Sequence, residues 1–182
     1  MTRDWNETSL LTTHRHAQPP APHASKVAVI YAAEHYRLMA TEPIAAGATV
    51  CPIRGERTKA PTRWTVQVGA RAHIEADPAT TLDDCIERFP WRYLNHSCEP
   101  NTRIAGLHVI AIRPIRAGEE LTFNYNSTEF DMTSPFACHC GSPVCHGMIR
   151  GFTHLTADER ERLRPLLSPH LRRLLKRSAG ST

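Results

Sequence analysis

Pro43-Ile44-Ala45-Ala46-Gly47 and Pro114-Ile115-Arg116-Ala117-Gly118 are near copies of one turn placed 71 residues apart, and their reading decides the class of fold. In each, proline fixes φ on entry and glycine supplies a permissive backbone on exit. Short apolar runs flank both: 36–41 and 48–53 around the first, 107–112 and 120–125 around the second. Strand, turn and strand therefore recur. The match is too short to establish a duplication, but it favours a fold of short strands and turns over a helical bundle.

Outward from these turns the same style continues. Residues 26–32 carry the run Val27, Ala28, Val29, Ile30 and Tyr31, which reads as a buried strand. Trp64, Val66 and Val68 alternate with Thr65 and Gln67, the period of a half-buried strand, and 72–76 is expected to pair nearby. Residues 81–89 suit a short helix that Pro90 ends. The expected class is mainly β with short helices. After residue 155 the pattern changes. Thr156 with Glu159 makes a capping box, and Ser168 precedes Pro169 as a cap before an N1 proline. Leu163, Leu166, Leu167, Leu171, Leu174 and Leu175 form an apolar stripe interrupted by Pro165. Two amphipathic C-terminal helices packing on the body explain this better than a nucleic-acid-binding arm.

Length and charge bound the function. The 182 residues suffice for one domain with terminal extensions, and a chain of this size needs no disulfides to hold a core. No apolar run is long enough to cross a membrane, and the N-terminus has no apolar core of a secretory signal. Six cysteines are too few for a disulfide scaffold and fit a reducing compartment. The expected location is intracellular: cytoplasmic in a bacterium, with the nucleus open to it in a eukaryote. The formal charge of +4 resides in 158–177, and the rest of the chain balances to zero. A main body that binds nucleic acid is therefore disfavoured. Residues 1–25 hold His14, His16 and His23 among prolines without apolar period, and read as a flexible, solvated arm rather than a metal site.

The sharpest chemical signal is Cys138-His139-Cys140 followed by Cys145. Three thiols within eight residues can converge on one ion, and a closed zinc site needs four soft ligands in a tetrahedron. The competing reading is a set of free or disulfide-paired surface thiols. Candidates for a fourth ligand are Cys51, Cys85, Cys98, His139 and His146; the two histidines adjoin cysteine ligands, and Cys98 is the choice from its turn-like setting. That setting, Asn95-His96-Ser97-Cys98-Glu99-Pro100-Asn101, wedges polar side chains between Trp91, Tyr93 and Leu94 and an apolar strand. Such groups are either satisfied in a buried turn or committed to a ligand. In Glu119-Glu120-Leu121-Thr122-Phe123-Asn124-Tyr125-Asn126, Phe123 and Tyr125 should share a strand face about 7 Å apart, as core or at a pocket mouth.

These three motifs, in this order, resemble the SET-domain protein-lysine methyltransferases with a post-SET zinc segment. The likeness covers roughly 26–152 and implies small curved β-sheets around a knot-like crossing. Divided on that basis, 1–25 is the arm, 26–134 the SET-like domain, 135–152 the post-SET zinc segment and 153–182 the C-terminal helices. The resemblance implies S-adenosylmethionine as cofactor, with Asn95 and His96 among its contacts and Arg37 and Met39 in the stretch that approaches it. It makes Tyr125 the catalytic tyrosine, Phe123 a partner in the substrate channel that leaves room for more than one methyl, and Cys98, Cys138, Cys140 and Cys145 the Zn2+ ligands. The implied partner is a protein with an accessible lysine, whose amine must be neutral to attack; an aromatic channel favours that form by desolvation. Oligomeric state, target protein and target lysine are left open. Three positions depart from the family pattern. The usual Gly-X-Gly falls on His35-Tyr36-Arg37-Leu38-Met39-Ala40, the usual Tyr-X-Gly-Glu reads Ile53-Arg54-Gly55-Glu56, and Asn124 stands where aspartate is common. They bear on cofactor affinity, and motivate the alternative of a zinc-stabilised binding module that has lost turnover.

Overall fold

A computed structural model describes residues 26–179; the arm at 1–25 and the final three residues lie outside it. The chain opens with an antiparallel hairpin of β1 (Val27–Ala32) and β2 (His35–Ala40), in register from Val27 opposite Ala40 to Ala32 opposite His35. Its turn places Ala33 and Glu34 at φ 51° and 64°. A two-residue hairpin loop needs that left-handed backbone to match strand twist, and here it is adopted without glycine. Next come β3 (Thr49–Pro52), β4 (Glu56–Thr58), β5 (Val66–Gly69) and β6 (Ala72–Glu75). Helix α1 (Leu82–Arg88) starts at Thr81, whose side chain accepts from the Asp84 amide. A 3-10 turn at Pro90–Tyr93 leads to β7 (Asn95–His96), β8 (Thr102–Ala105), β9 (His108–Ala111) and β10 (Thr122–Phe123). β11 (Phe136–Ala137), β12 (Met148–Ile149), α2 (Ala157–Leu163) and α3 (Pro169–Ala179) complete the order.

The strands make small separate sheets: β3-β9-β8, β4-β6-β5, and the pairs β1-β2, β11-β12 and β7-β10. The two copied turns sit against each other. Ile44 and Ile115 exchange both backbone hydrogen bonds at 2.9 Å. The Gly47 amide donates to Ala111 O at 2.8 Å, and the matching Gly118 amide donates to Ala40 O at 2.8 Å. Ala111 N to Ala48 O and Ala40 N to Glu119 O repeat the relation one residue on. Each of these residues has its mate 71 positions away, so the repeat read in the sequence is a local two-fold in space. Gly47 and Gly118 hold the same φ, 80° and 81°.

β7 and β10 pair in parallel, Asn95 opposite Thr122 and Phe123 opposite His96. Asn101 fastens this crossing: its amide donates to Glu120 O and its carbonyl accepts from Thr122 N. Thr102 Oγ1 donates to Thr122 O. The polar turn at 95–101 is thus largely a satisfied buried one. The strand expected over 120–125 is shorter than its pattern. It ends at Phe123 because the Asn124 side chain accepts from the Asn126 amide and starts a 3-10 turn at Tyr125–Ser127. Trp64 likewise lies outside β5, with 43% of its surface exposed.

The main core joins Leu38, Ile44, Ile104, Val109, Ile115 and Leu121. A second cluster of Phe152, Leu155, Leu163, Leu167 and Leu171 seats the C-terminal helices, and a third joins Cys98, Cys138 and Ile149. Among the described residues no helix is long and apolar enough to cross a membrane.

Candidate active site and metal centre

The parallel β7-β10 pair brings together residues far apart in the chain. Tyr125 leaves β10 on its 3-10 turn, with its amide donating to His96 Nδ1 at 3.1 Å and its hydroxyl donating to Leu94 O at 2.8 Å. The phenol is densely surrounded although an edge reaches solvent. Burial first, then the nearby carboxylates of Glu129 and Glu120, raise its pKa. A neutral hydroxyl with a fixed direction follows.

Four rings gather here. Phe123 lies 4.7 Å from Tyr125 between ring centroids, His96 lies 5.3 Å from Tyr125, and Phe136 lies 5.9 Å from Tyr125 and 5.7 Å from His96. Phe123 ends β10 and Tyr125 begins the 3-10 turn, so the two do not share a strand face, yet their rings meet. Burial, helped by His146, pushes the His96 ring down to about 4, so it is neutral near pH 7. An enclosure of neutral aromatic faces suits a cation or an alkyl amine. Phe136 carries no motif in the sequence; only its place two residues before Cys138 points to it.

Beside the rings is a polar shelf. The Asn95 amide donates to Tyr36 O at 3.0 Å and to Glu120 Oε1 at 2.7 Å. Arg37 Nη1 donates to Glu120 Oε2 at 3.3 Å. Both charged side chains keep about a third or less of their surface exposed. A guanidinium, a carboxylate, an amide and a carbonyl together match the charges of an amino-acid zwitterion, so the donor set fits the methionyl part of S-adenosylmethionine. The structure puts Asn95 and Arg37 on this shelf, whereas the His96 ring faces Tyr125, Phe136 and Cys98. Met39 bridges to Glu120 one step along β2. Glu120 was not singled out from the sequence, because one acidic residue in a Glu-Glu pair carries no signal of its own.

The metal centre is assembled from two segments. The sulfurs of Cys98, Cys138, Cys140 and Cys145 all lie within 4.8 Å of one another. Tetrahedral zinc with bonds of about 2.3 Å has sulfurs about 3.8 Å apart, so the set fits Zn2+. Cys51 and Cys85, the other cysteine candidates, are buried in the main core. Desolvation raises Cys140, but amide N–H groups of Cys98 and Ser142 outweigh it and bring the thiol down to about 7. Desolvation dominates at Cys138, raising it to about 11. The His96 ring, 3.3 Å from Cys98 Sγ, links the metal centre to Tyr125. A surface cavity of about 540 Å3 opens between the two copied turns, and none of these side chains lines it.

Residues 35–126 match the SET domain family. The methyltransferase flvH of Aspergillus flavus is 37% identical over 118 residues, which cover 63% of this chain and 59% of that protein. An H3 lysine-36 specific histone-lysine N-methyltransferase of Aspergillus oryzae is 41% identical over 70 residues, 34% of this chain and 7% of that protein. The chain therefore spans about three fifths of the first relative and a small part of the second. Among solved structures, KRYPTONITE in complex with mCHG DNA and SAH aligns with a TM-score of 0.50 at 23% identity, over 68% of this chain and 28% of that one. That likeness concerns the fold.

Proposed function

The chain belongs to the SET-domain family, and from that premise we propose that it is an S-adenosylmethionine-dependent protein-lysine N-methyltransferase. The observation that carries the proposal is the meeting of Tyr125, ringed by Phe123, His96 and Phe136, with the polar shelf of Asn95, Arg37 and Glu120. Relatives named as histone-lysine methyltransferases support a protein substrate and, with it, a nuclear setting.

S-adenosylmethionine, when bound, supplies an electrophilic methyl group. Asn95, Arg37 and Glu120 would hold its charged end, with Met39 next to Glu120 in the backbone and His96 following Asn95 on β7. The aromatic enclosure strips water from the lysine ammonium, lowers its pKa and so favours the neutral amine that can react. The Tyr125 hydroxyl is aimed by Leu94 and the Tyr125 amide by His96, so the ring is oriented before substrate arrives. Phe123, with no hydroxyl to hold a water against the amine, leaves space for a second methyl. Cys98, Cys138, Cys140 and Cys145 would hold a structural zinc, tying down the segment that carries Phe136, one wall of the enclosure. It contributes no chemistry of its own.

The test is transfer of labelled methyl to lysine in recombinant core histones and in mixed cellular proteins. Wild type is expected to label lysine, and Tyr125→Phe to reduce the rate by about a hundredfold or more while cofactor binding persists. Arg37 and its Glu120 partner, in place of a glycine that would let backbone approach the cofactor, are the observation behind a second reading, a binding module without turnover. Calorimetric titration with S-adenosylhomocysteine separates the two: no binding by well-folded, zinc-loaded protein sinks the enzyme.

A further inference from the structure

The family match ends at residue 126, and the two C-terminal helices lie beyond it. They nevertheless touch the backbone that carries Tyr125. The turn closes with the amides of Thr128 and Glu129 both donating to Tyr125 O, at 3.1 and 2.9 Å. The outward-facing carbonyls of that turn are taken up from α3. The Ser168 amide donates to Ser127 O at 2.9 Å, and His170 Nε2 lies 2.9 Å from Thr128 O. A carbonyl only accepts, so Nε2 carries the proton. His170 Nδ1 is then the acceptor for the Ser168 hydroxyl 3.0 Å away. Every polar side-chain atom of the pair is used, and both residues are buried, at 2% and 3% exposure.

Packing alone does not ask for this. Leu163, Leu167 and Leu171 already seat the helices, and a further leucine would bury more apolar surface at less desolvation cost. A serine and a histidine there exchange nonspecific adhesion for a fixed register against two carbonyls. The other end is fastened too. Glu159, which accepts from the Thr156 amide in the α2 capping box, meets His146 Nδ1 at 3.0 Å, beside Cys145. The helix pair thus spans the loop that supplies the cysteines and the turn that supplies the phenol.

We infer that α2 and α3 form a clamp that positions Tyr125, and that His170 is its positioning residue. The inference rests on the reading of Tyr125 as the catalytic phenol. His170 never touches substrate; it holds Thr128 O, and through Thr128 the closure of the turn on Tyr125 O.

The test uses the full chain and two readouts. Amide hydrogen exchange follows the segment 125–129 against β9 as an internal reference. His170→Phe, which keeps bulk and loses the donor, is expected to speed exchange at 125–129 by about tenfold and leave β9 unchanged. His170→Gln, whose amide can still donate to Thr128 O, is expected to restore protection. In methyl transfer to core histones His170→Phe should lower kcat by about tenfold with KM unchanged, and Gln should recover most of it. Unchanged exchange at 125–129, or a loss shared equally with β9, overturns the clamp. If the phenyl variant does not fold, His170→Asn replaces it, because its shorter amide falls short of Thr128 O; Asn and Gln behaving alike overturns the inference as well. Tyr125→Phe runs in parallel. Full activity in that variant ends the catalytic reading, whereas the exchange result still decides whether the clamp exists.

Discussion

Glu129 follows Tyr125 by four residues, and its carboxylate accepts from the Gln67 amide at 2.8 Å and from the Thr128 hydroxyl at 3.3 Å. His73 Nε2 stands 4.0 Å away, and its other ring nitrogen has no hydrogen-bond partner among the described residues. Burial outweighs these donors and raises Glu129 to about 7. In the unfolded chain the group titrates near 4.5, so between 4.5 and about 7 the native state holds an extra proton. Its contribution to stability therefore falls as pH rises through that window. His73 and His170, lowered by burial, act in the opposite sense, gaining stability as pH rises towards 6.5. Comparison with Glu129→Gln isolates the carboxylate. Urea unfolding should show the glutamine variant gaining on wild type between pH 5 and pH 8, by on the order of 2–3 kcal/mol. An equal difference at the two pH values would mean that Glu129 stays ionised throughout. Nothing in the sequence marks Glu129. Its environment is made by β5 and β6, both distant along the chain, whereas Asn95, His96 and Tyr125 announce themselves within motifs.

Among the elements, alternation and turn chemistry were enough to locate β1, β2, β3, β6, β9, α1 and the capping box of α2. Tyr125 shows where such reading stops: a strand pattern continues through it, but the Asn124 side chain offers the backbone a competing bond and the element becomes a turn. The cysteine segment shows the same limit from another side. β11 and β12 are two residues each, too little to hold a sheet without help. Phe136 leads that pair and also walls the aromatic enclosure. Metal binding should therefore order one side of the aromatic enclosure. Native mass spectrometry is expected to find one zinc per chain, and Cys98→Ser and Cys140→Ser to weaken it comparably, by about a hundredfold or more. With the metal removed by chelator, exchange should rise across 132–150 and leave β9 protected. Retention of zinc in the Cys98→Ser protein would remove Cys98 from the ligand set.

At the scale of the molecule, the copied turns and the helix clamp divide the stability between two regions. Ile44 and Ile115, each 2% exposed, join the halves of the main core where the turns pair. The repeat was visible in the sequence because a turn is local chemistry; the pairing of the two copies was not, since neither copy encodes its distance to the other. Leu171, fully buried, belongs to a separate and smaller cluster, joined to the body by a handful of polar contacts: Ser168, His170, the Glu159–His146 contact, and the Phe152 and Thr153 amides donating to Glu129 O and Phe130 O. Removing three carbons from either site leaves a cavity that costs about 2–4 kcal/mol. The consequences should differ. Ile115→Ala lies at the centre of the cooperative body, so it should lower the exchange free energy of β9 and α3 together. Leu171→Ala should lower that of α3 and of the 125–129 segment while β9 keeps its wild-type value, because a small cluster held by a few polar bonds can open alone. Native-state hydrogen exchange across a urea series reads both values in one sample. Equal losses at β9 and α3 in the Leu171→Ala protein would make the clamp part of one indivisible core; a loss confined to α3 and the tyrosine turn would make it a separable unit able to tune the active site.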